Sequence, residues 1–122
     1  MKMTFGAAIA LFALNASPVQ AAGQTFDLVC TGKSKQQYHF RFDVAQKKWC
    51  LGECLSVWSI DQLADSMIEL SIRTKDDSEY WNVKIDRYTS KFWAVRRGYG
   101  SDPKEWGECE ARAFSGFPQK KF

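Results

Sequence analysis

Gln37 to Val44, QYHFRFDV, is the stretch on which the reading of the whole chain turns. Tyr38, Phe40 and Phe42 alternate with His39, Arg41 and Asp43, so a period of two places three aromatic rings on one face and three polar side chains on the other. A helix would scatter those rings around its axis. An extended strand lines them up, and the aromatic residues favour that state.

The same alternation recurs on both sides. Upstream, TFDLVCT sets Phe26, Leu28 and Cys30 against Asp27, Val29 and Thr31, and the polar GKSKQQ between the two runs reads as a hairpin loop. Downstream, AQKKW makes a turn, Trp49 to Leu51 starts a short third strand, and SVWSI (Ser56 to Ile60) a fourth. The pattern wavers in DQLADS; Ser59 and Gln62 could cap one helical turn, which is too short to stand alone, so a turn or 3₁₀ element is expected there. Met67 to Thr74 then points Ile68, Leu70 and Ile72 inward, and Tyr80 to Asp86 does the same with Trp81, Val83 and Ile85 across the KDDSE turn. After a tight bend at Asp86 and Arg87, YTSKFWAVRR forms another strand, and RGYGSDPKEWG, with Gly98, Gly100, Asp102 and Pro103, is the longest loop. A last strand is expected from Gly107 to Phe114, with Cys109, Ala111 and Ala113 on one face. About seven or eight short strands follow, with no convincing helix: an all-β, antiparallel domain, a meander closing towards a barrel or sandwich.

The N-terminus has a different character. MKMTFGAAIALFALNASPVQAAG carries one positive charge at Lys2, an apolar run from Phe5 to Leu14, and a small and polar stretch containing Pro18. That is the layout of a secretory signal peptide, and a run of about ten residues, roughly 15 Å as a helix, falls short of a bilayer core. Val19 and Ala21 suit the −3 and −1 subsites of signal peptidase, so residues 1–21 are expected to be cleaved and 22–122 to form a single β domain. Without Lys2, sixteen Lys and Arg face fourteen Asp and Glu, a formal charge near +2 that favours no partner by sign alone. Export to the periplasm or medium, no membrane-spanning segment in the mature chain and a monomeric state are the expectations.

Four cysteines, Cys30, Cys50, Cys54 and Cys109, lie in the mature region. An even number in a small exported domain reads as two disulfides with three possible connectivities. Cys50 with Cys54 can close a tight loop around Gly52, and Cys30 with Cys109 would join the first and last strands. The rival is a zinc site using cysteines and His39, but Cys50-x-x-x-Cys54 is not followed by a second close pair, so no metal or other cofactor is expected.

Candidate chemistry is sparse. His39 is the only histidine; beside Arg41 and Asp43 it reads as a solvated strand residue, and a serine nucleophile would need it. Glu108 and Glu110, two apart, share a strand face at about 7 Å, the separation of a carboxylate hydrolase pair, with no apolar pocket implied around them. Asp61 with Asp65 and Asp76 with Asp77 are further carboxylate pairs, the latter two reading as turn residues. The most functional-looking stretch is Lys91 to Gly100, KFWAVRRGYG, where aromatic and basic residues interleave. Nucleic acid is an improbable partner outside the cell, so an envelope anion, a glycan or a protein is the better expectation, with Lys91, Trp93, Arg96, Arg97, Tyr99 and Trp106 as the candidate surface. Arg96 and Arg97 fall on opposite faces of an ideal strand, which suggests an edge strand running out into a loop. Of the five tryptophans, Trp81 looks like core, whereas Trp93 and Trp106 flank the long loop and are the surface candidates.

FDLVCTG at Phe26 to Gly32, WC at Trp49 and Cys50, Cys54, and the ending GECEARAFSGFPQKKF together resemble a set of small exported bacterial proteins with no assigned activity. That resemblance implies organisation and no catalytic residues. A cysteine in the first strand and the general architecture are also similar to periplasmic lysozyme inhibitors of the membrane-bound type. The expected role is a non-enzymatic exported binding or envelope-associated module, with a lysozyme-inhibitor-like protein next and a small carboxylate-dependent hydrolase third.

Overall fold

A computed structural model of the chain describes residues 24–73, 80–98 and 102–119. The signal segment, the KDDSE turn with Asp76 and Asp77, and Tyr99 lie outside the described residues. The described chain is all-β, and its strands are β1 (Thr25–Gly32), β2 (Gln37–Asp43), β3 (Lys48–Leu51), β4 (Val57–Ser59), β5 (Gln62–Leu63), β6 (Met67–Arg73), β7 (Tyr80–Asp86), β8 (Lys91–Arg96) and β9 (Glu105–Arg112). They form one antiparallel sheet in the order β4-β3-β2-β1-β9-β8-β7-β6-β5, curled into a half-barrel.

The alternation that marks β2 is what curls the sheet. Phe40 and Phe42 turn inward with Leu28 and Cys30 of β1 and Trp49 of β3, and they meet Ile68, Leu70, Val83, Ile85 and Phe92 from the other arm. Burying a large aliphatic or aromatic side chain stabilises the fold by about 1.5–3 kcal/mol, so one contiguous core strongly favours the curled sheet over a flat one. The two arms touch across the interior, where the Tyr38 ring meets Phe92 edge-on at 6.1 Å between centroids.

Cys30 and Cys109 sit opposite each other in the β1–β9 register and are joined by a disulfide. Their Cα atoms are 3.9 Å apart. So close an approach leaves no room beside it: a Cβ on Gly107 would drive into the carbonyl oxygen of Thr31. Cys50 and Cys54 form the second disulfide around Gly52, and no described cysteine is free, so the zinc alternative loses its thiolates.

Three expectations need correction. First, a strand, β5 (Gln62–Leu63), lies in the segment expected to be a turn or 3₁₀ element; the Asp61 amide donates to the Glu69 carbonyl and the Ala64 amide to that of Met67, which straps two residues along β6. Second, β8 is not an edge strand but is paired on both sides, to β7 and β9. The true edges are β4 and β5, joined by Ile60 and Asp61, whose amides reach the Lys47 carbonyl on one arm and the Glu69 carbonyl on the other. Third, the last strand runs Glu105–Arg112 rather than from Gly107 to Phe114, and residues 113–119 leave the sheet as a tail. Among the described residues no helix is long and apolar enough to cross a membrane.

Candidate functional site

Three places on this scaffold gather polar or aromatic side chains, and the first lies under the tail. Asp27 points to the convex face of β1, where the sequence reading expected solvent, yet it is only 2% exposed. Ser115 of the tail donates to it from its amide (3.2 Å) and its hydroxyl (2.6 Å). His39 Nε2 lies 2.6 Å from the same carboxylate, and with 39% of its side chain exposed this histidine is a partly solvated strand residue that also pairs with a buried acid. Next to it, Arg41 donates to the carbonyls of Gly116 and Gly52 at 2.8 and 2.9 Å, clamping the tail to the disulfide-closed loop. Serine, histidine and aspartate are present, but the connectivity is wrong for a nucleophile. The Ser115 hydroxyl donates to Asp27 and not to the histidine, whereas a triad needs the imidazole between serine and carboxylate to take the serine proton.

The second place is the convex face of β7–β9, where the candidate surface falls. Trp93 lies opposite Lys84 on β7 and opposite Trp106 on β9, so a cation and two indoles form one transverse row. Lys33, from the β1–β2 hairpin, closes the row with Nζ 4.3 Å from the Trp106 ring centroid. Trp106 is 45% exposed. Shallow grooves flank this ridge. One, about 550 Å³, includes Trp93, Lys84, Tyr80 and Arg97; the other, about 650 Å³, includes Trp106, Lys33 and Lys35 together with Glu108 and Glu110. Tyr80 carries guanidinium groups against its ring, Arg73 at 4.7 Å and Arg97 at 5.2 Å.

The candidate residues thus divide. Trp93, Arg97 and Trp106 come together on this face. Lys91 shares the face but stands opposite Glu108, so its charge is locally matched. Arg96 is opposite Trp81 in the register and shares the inward row of Phe92 and Ala94, whereas Arg97 is exposed. Glu108 and Glu110 are both exposed on the convex face, with Glu110 paired to Arg112 at 2.9 Å, so they stand on open surface rather than flanking an enclosed cleft.

The third place was not singled out from the sequence. Inside the half-barrel, at the end bearing the β1–β2 hairpin, is a cavity of about 260 Å³. Its walls are apolar apart from Tyr38 and Glu105. Glu105 is 8% exposed, and its carboxylate lies against Gly32, where a Cβ would collide with it. It accepts hydrogen bonds from the Ser34 hydroxyl (2.5 Å), the Tyr38 hydroxyl (2.8 Å) and the Ser34 amide (3.3 Å). Burial pushes the Glu105 carboxyl up, but these bonds outweigh it and hold it below the ordinary carboxylate range. Tyr38 is pushed up, by burial first and then by its bond to the Glu105 carboxylate. A tyrosine that stays protonated beside a carboxylate that stays ionised makes a fixed donor–acceptor pair at the cavity wall.

Comparison with protein-family models, with curated proteins and with solved structures returned no match to the chain. Among the described residues no group of three or more His, Cys, Asp or Glu side chains is arranged to hold a metal ion.

Proposed function

We propose that this protein is a non-enzymatic, exported binding module that holds an acidic glycan on the convex face of β7–β9. The observation that carries the reading is the transverse row Lys84, Trp93, Trp106, Lys33. Neighbouring strands lie about 4.8 Å apart, comparable to the length of one sugar unit, so two indoles opposite each other offer successive stacking sites along a saccharide chain. Cations at both ends of the row suit carboxylate or phosphate substituents on that chain, best on the Lys84 and Arg97 side, since Glu108 and Glu110 share the other groove with Lys33 and Lys35. Export is supported by the two disulfides and by the signal-peptide layout of the first 21 residues.

The test is affinity electrophoresis of the mature protein in gels containing polygalacturonate or, as a neutral control, dextran. Retardation by polygalacturonate that weakens with salt is expected, with little by dextran. Trp106→Ala should reduce it about tenfold, the equivalent of about 1.4 kcal/mol and within the range of one stacking contact. Equal retardation of Trp106→Ala and the parent protein would reject the reading.

A further inference from the structure

The interior cavity is independent of the convex face, and its chemistry is more selective. Four of its lining side chains are aromatic, Tyr38, Phe40, Trp81 and Phe92, drawn from β2, β7 and β8 so that they surround the space from both arms. Glu105 also lines it, with its carboxylate set just behind the apolar wall, against Gly32 and the Ser34 and Tyr38 hydroxyls. The groups that hold this carboxylate, the Ser34 and Tyr38 hydroxyls and the Ser34 amide, are all neutral, so its negative charge is fixed in place without being cancelled by them. Arg96, on the same inward row as Phe92 and Ala94, does not line the cavity.

An apolar space with a negative charge on its wall disfavours anions and leaves two kinds of guest, neutral apolar molecules and organic cations. Ring faces carry negative quadrupole density, so a cation gains from each of the four rings whose face it can reach, in addition to the nearby carboxylate. Three hydrogen bonds already occupy most of the acceptor capacity of Glu105. A primary ammonium, which must satisfy three N–H donors on leaving water, therefore finds too few acceptors. A quaternary ammonium has no donor to satisfy and asks only for charge complementarity and ring faces.

We propose that the half-barrel interior is a binding site for a small quaternary ammonium compound, enclosed by Tyr38, Phe40, Trp81 and Phe92 and balanced by Glu105. Scaled from the benzene-sized cavity of about 150 Å³, a space of about 260 Å³ takes a guest of about ten non-hydrogen atoms. Tyr38, Leu51, Ile72 and Trp81 are only half-buried, so the cavity is reached past side chains that already touch solvent. The polar atoms of the wall need no rearrangement on binding, since the Tyr38 hydroxyl continues to donate to Glu105.

The experiment is a titration of the disulfide-intact mature protein followed by NMR, with phenyltrimethylammonium as probe and tert-butylbenzene as its uncharged isostere. Phenyltrimethylammonium should move the ring resonances of Trp81 and Phe92 while leaving those of Trp93 and Trp106 in place, and should bind at least tenfold more tightly than tert-butylbenzene. Glu105→Gln should remove most of that preference while keeping affinity for the neutral probe, and Trp81→Leu, at a half-buried position, should weaken the cation about tenfold. Equal affinity for the two probes, or shifts confined to the convex face, would overturn the proposal. Retained binding of tert-butylbenzene by Glu105→Gln shows that the variant has kept its cavity, so a lost cation preference reads on charge. A Glu105→Gln protein that no longer folds would move the decision to Trp81→Leu, where unchanged cation affinity also overturns it.

Discussion

The convex face of the sheet has two halves that a reading of polar alternation treats alike and that the fold treats in opposite ways. On the β1–β3 half, the tail and the Cys50–Cys54 loop bond to Asp27 and Arg41, and Asp27 is buried with His39 half-exposed beside it; on the β7–β9 half, Trp106 is exposed and Trp93 and Lys84 are half-buried next to it. The charged half is therefore tied into the structure, and the aromatic half is the one on which the proposed binding depends. Charge on a strand face invites the assumption of solvent, but a buried carboxylate with hydroxyl, amide and imidazole partners is an anchor common to all of them. Large indoles on an open face gain nothing for the fold by being there.

Asp27→Ala is the severest way to break this contrast. It leaves Ser115 and His39 without their acceptor and frees the tail, and it should lower stability by about 3 kcal/mol in a denaturant titration, with faster amide exchange around Ser115. A loss under 1 kcal/mol would mean that the tail rests on the sheet without bracing it.

Acid titration examines what lies beneath the bare half. Glu105 has a lowered folded-state pKa, so its contribution is fully present above its ordinary value of 4.5 and is lost as pH falls through the folded value. Glu105→Gln should cost about 1.5 kcal/mol at pH 7, from hydrogen bonds to a charged group, and the gap from the parent protein should narrow steadily below about pH 4.5. A gap that persists undiminished at pH 2 would assign the cost to packing instead of charge.

Trp106→Ala should give the smallest effect on stability, within about 0.5 kcal/mol, because the ring is largely exposed and its neighbour Lys33 is free to return to water. Calorimetry of the same variant that loses glycan retardation makes the comparison sharp: large binding effect and small stability effect on this half, the reverse under the tail.

How much of this could be read in advance depended on sequence distance. The alternation in β2 and β6–β8 is local, and it specified strands, inward faces and an all-β class without reference to anything far away. The Cys30–Cys109 pairing was legible because an even set of cysteines placed one in the first strand and one in the last. Gln62–Leu63 was not, since two residues carry no periodicity and their strand exists only through bonds to β6. Burial of Asp27 depends on Ser115, 88 positions away, and the setting of Glu105 on Ser34 and Tyr38, 71 and 67 positions away. Each of those residues taken alone is an ordinary polar side chain. For Glu105 the one local sign was its place at the start of a strand beside Trp106, which does not say inward or outward.

The positions of the chain ends within the sheet bear on the order in which the molecule assembles. Because β1 and β9 lie together at the centre while the outer edges are contiguous in the chain, the sheet consists of two arms, β1–β4 and β5–β9, each foldable from neighbouring hairpins. During synthesis the first arm is complete while β9 is still unmade, so β1 spends that interval as an unpaired edge carrying the Cys30 thiol. Closing a separation of 79 residues is among the most non-local steps in the fold, and non-local pairing is slow. The bond to Cys109 can form only once β9 has been made, which ties the covalent lock to completion of the chain: one cut short before β9 keeps an open edge and an unpaired sulfur.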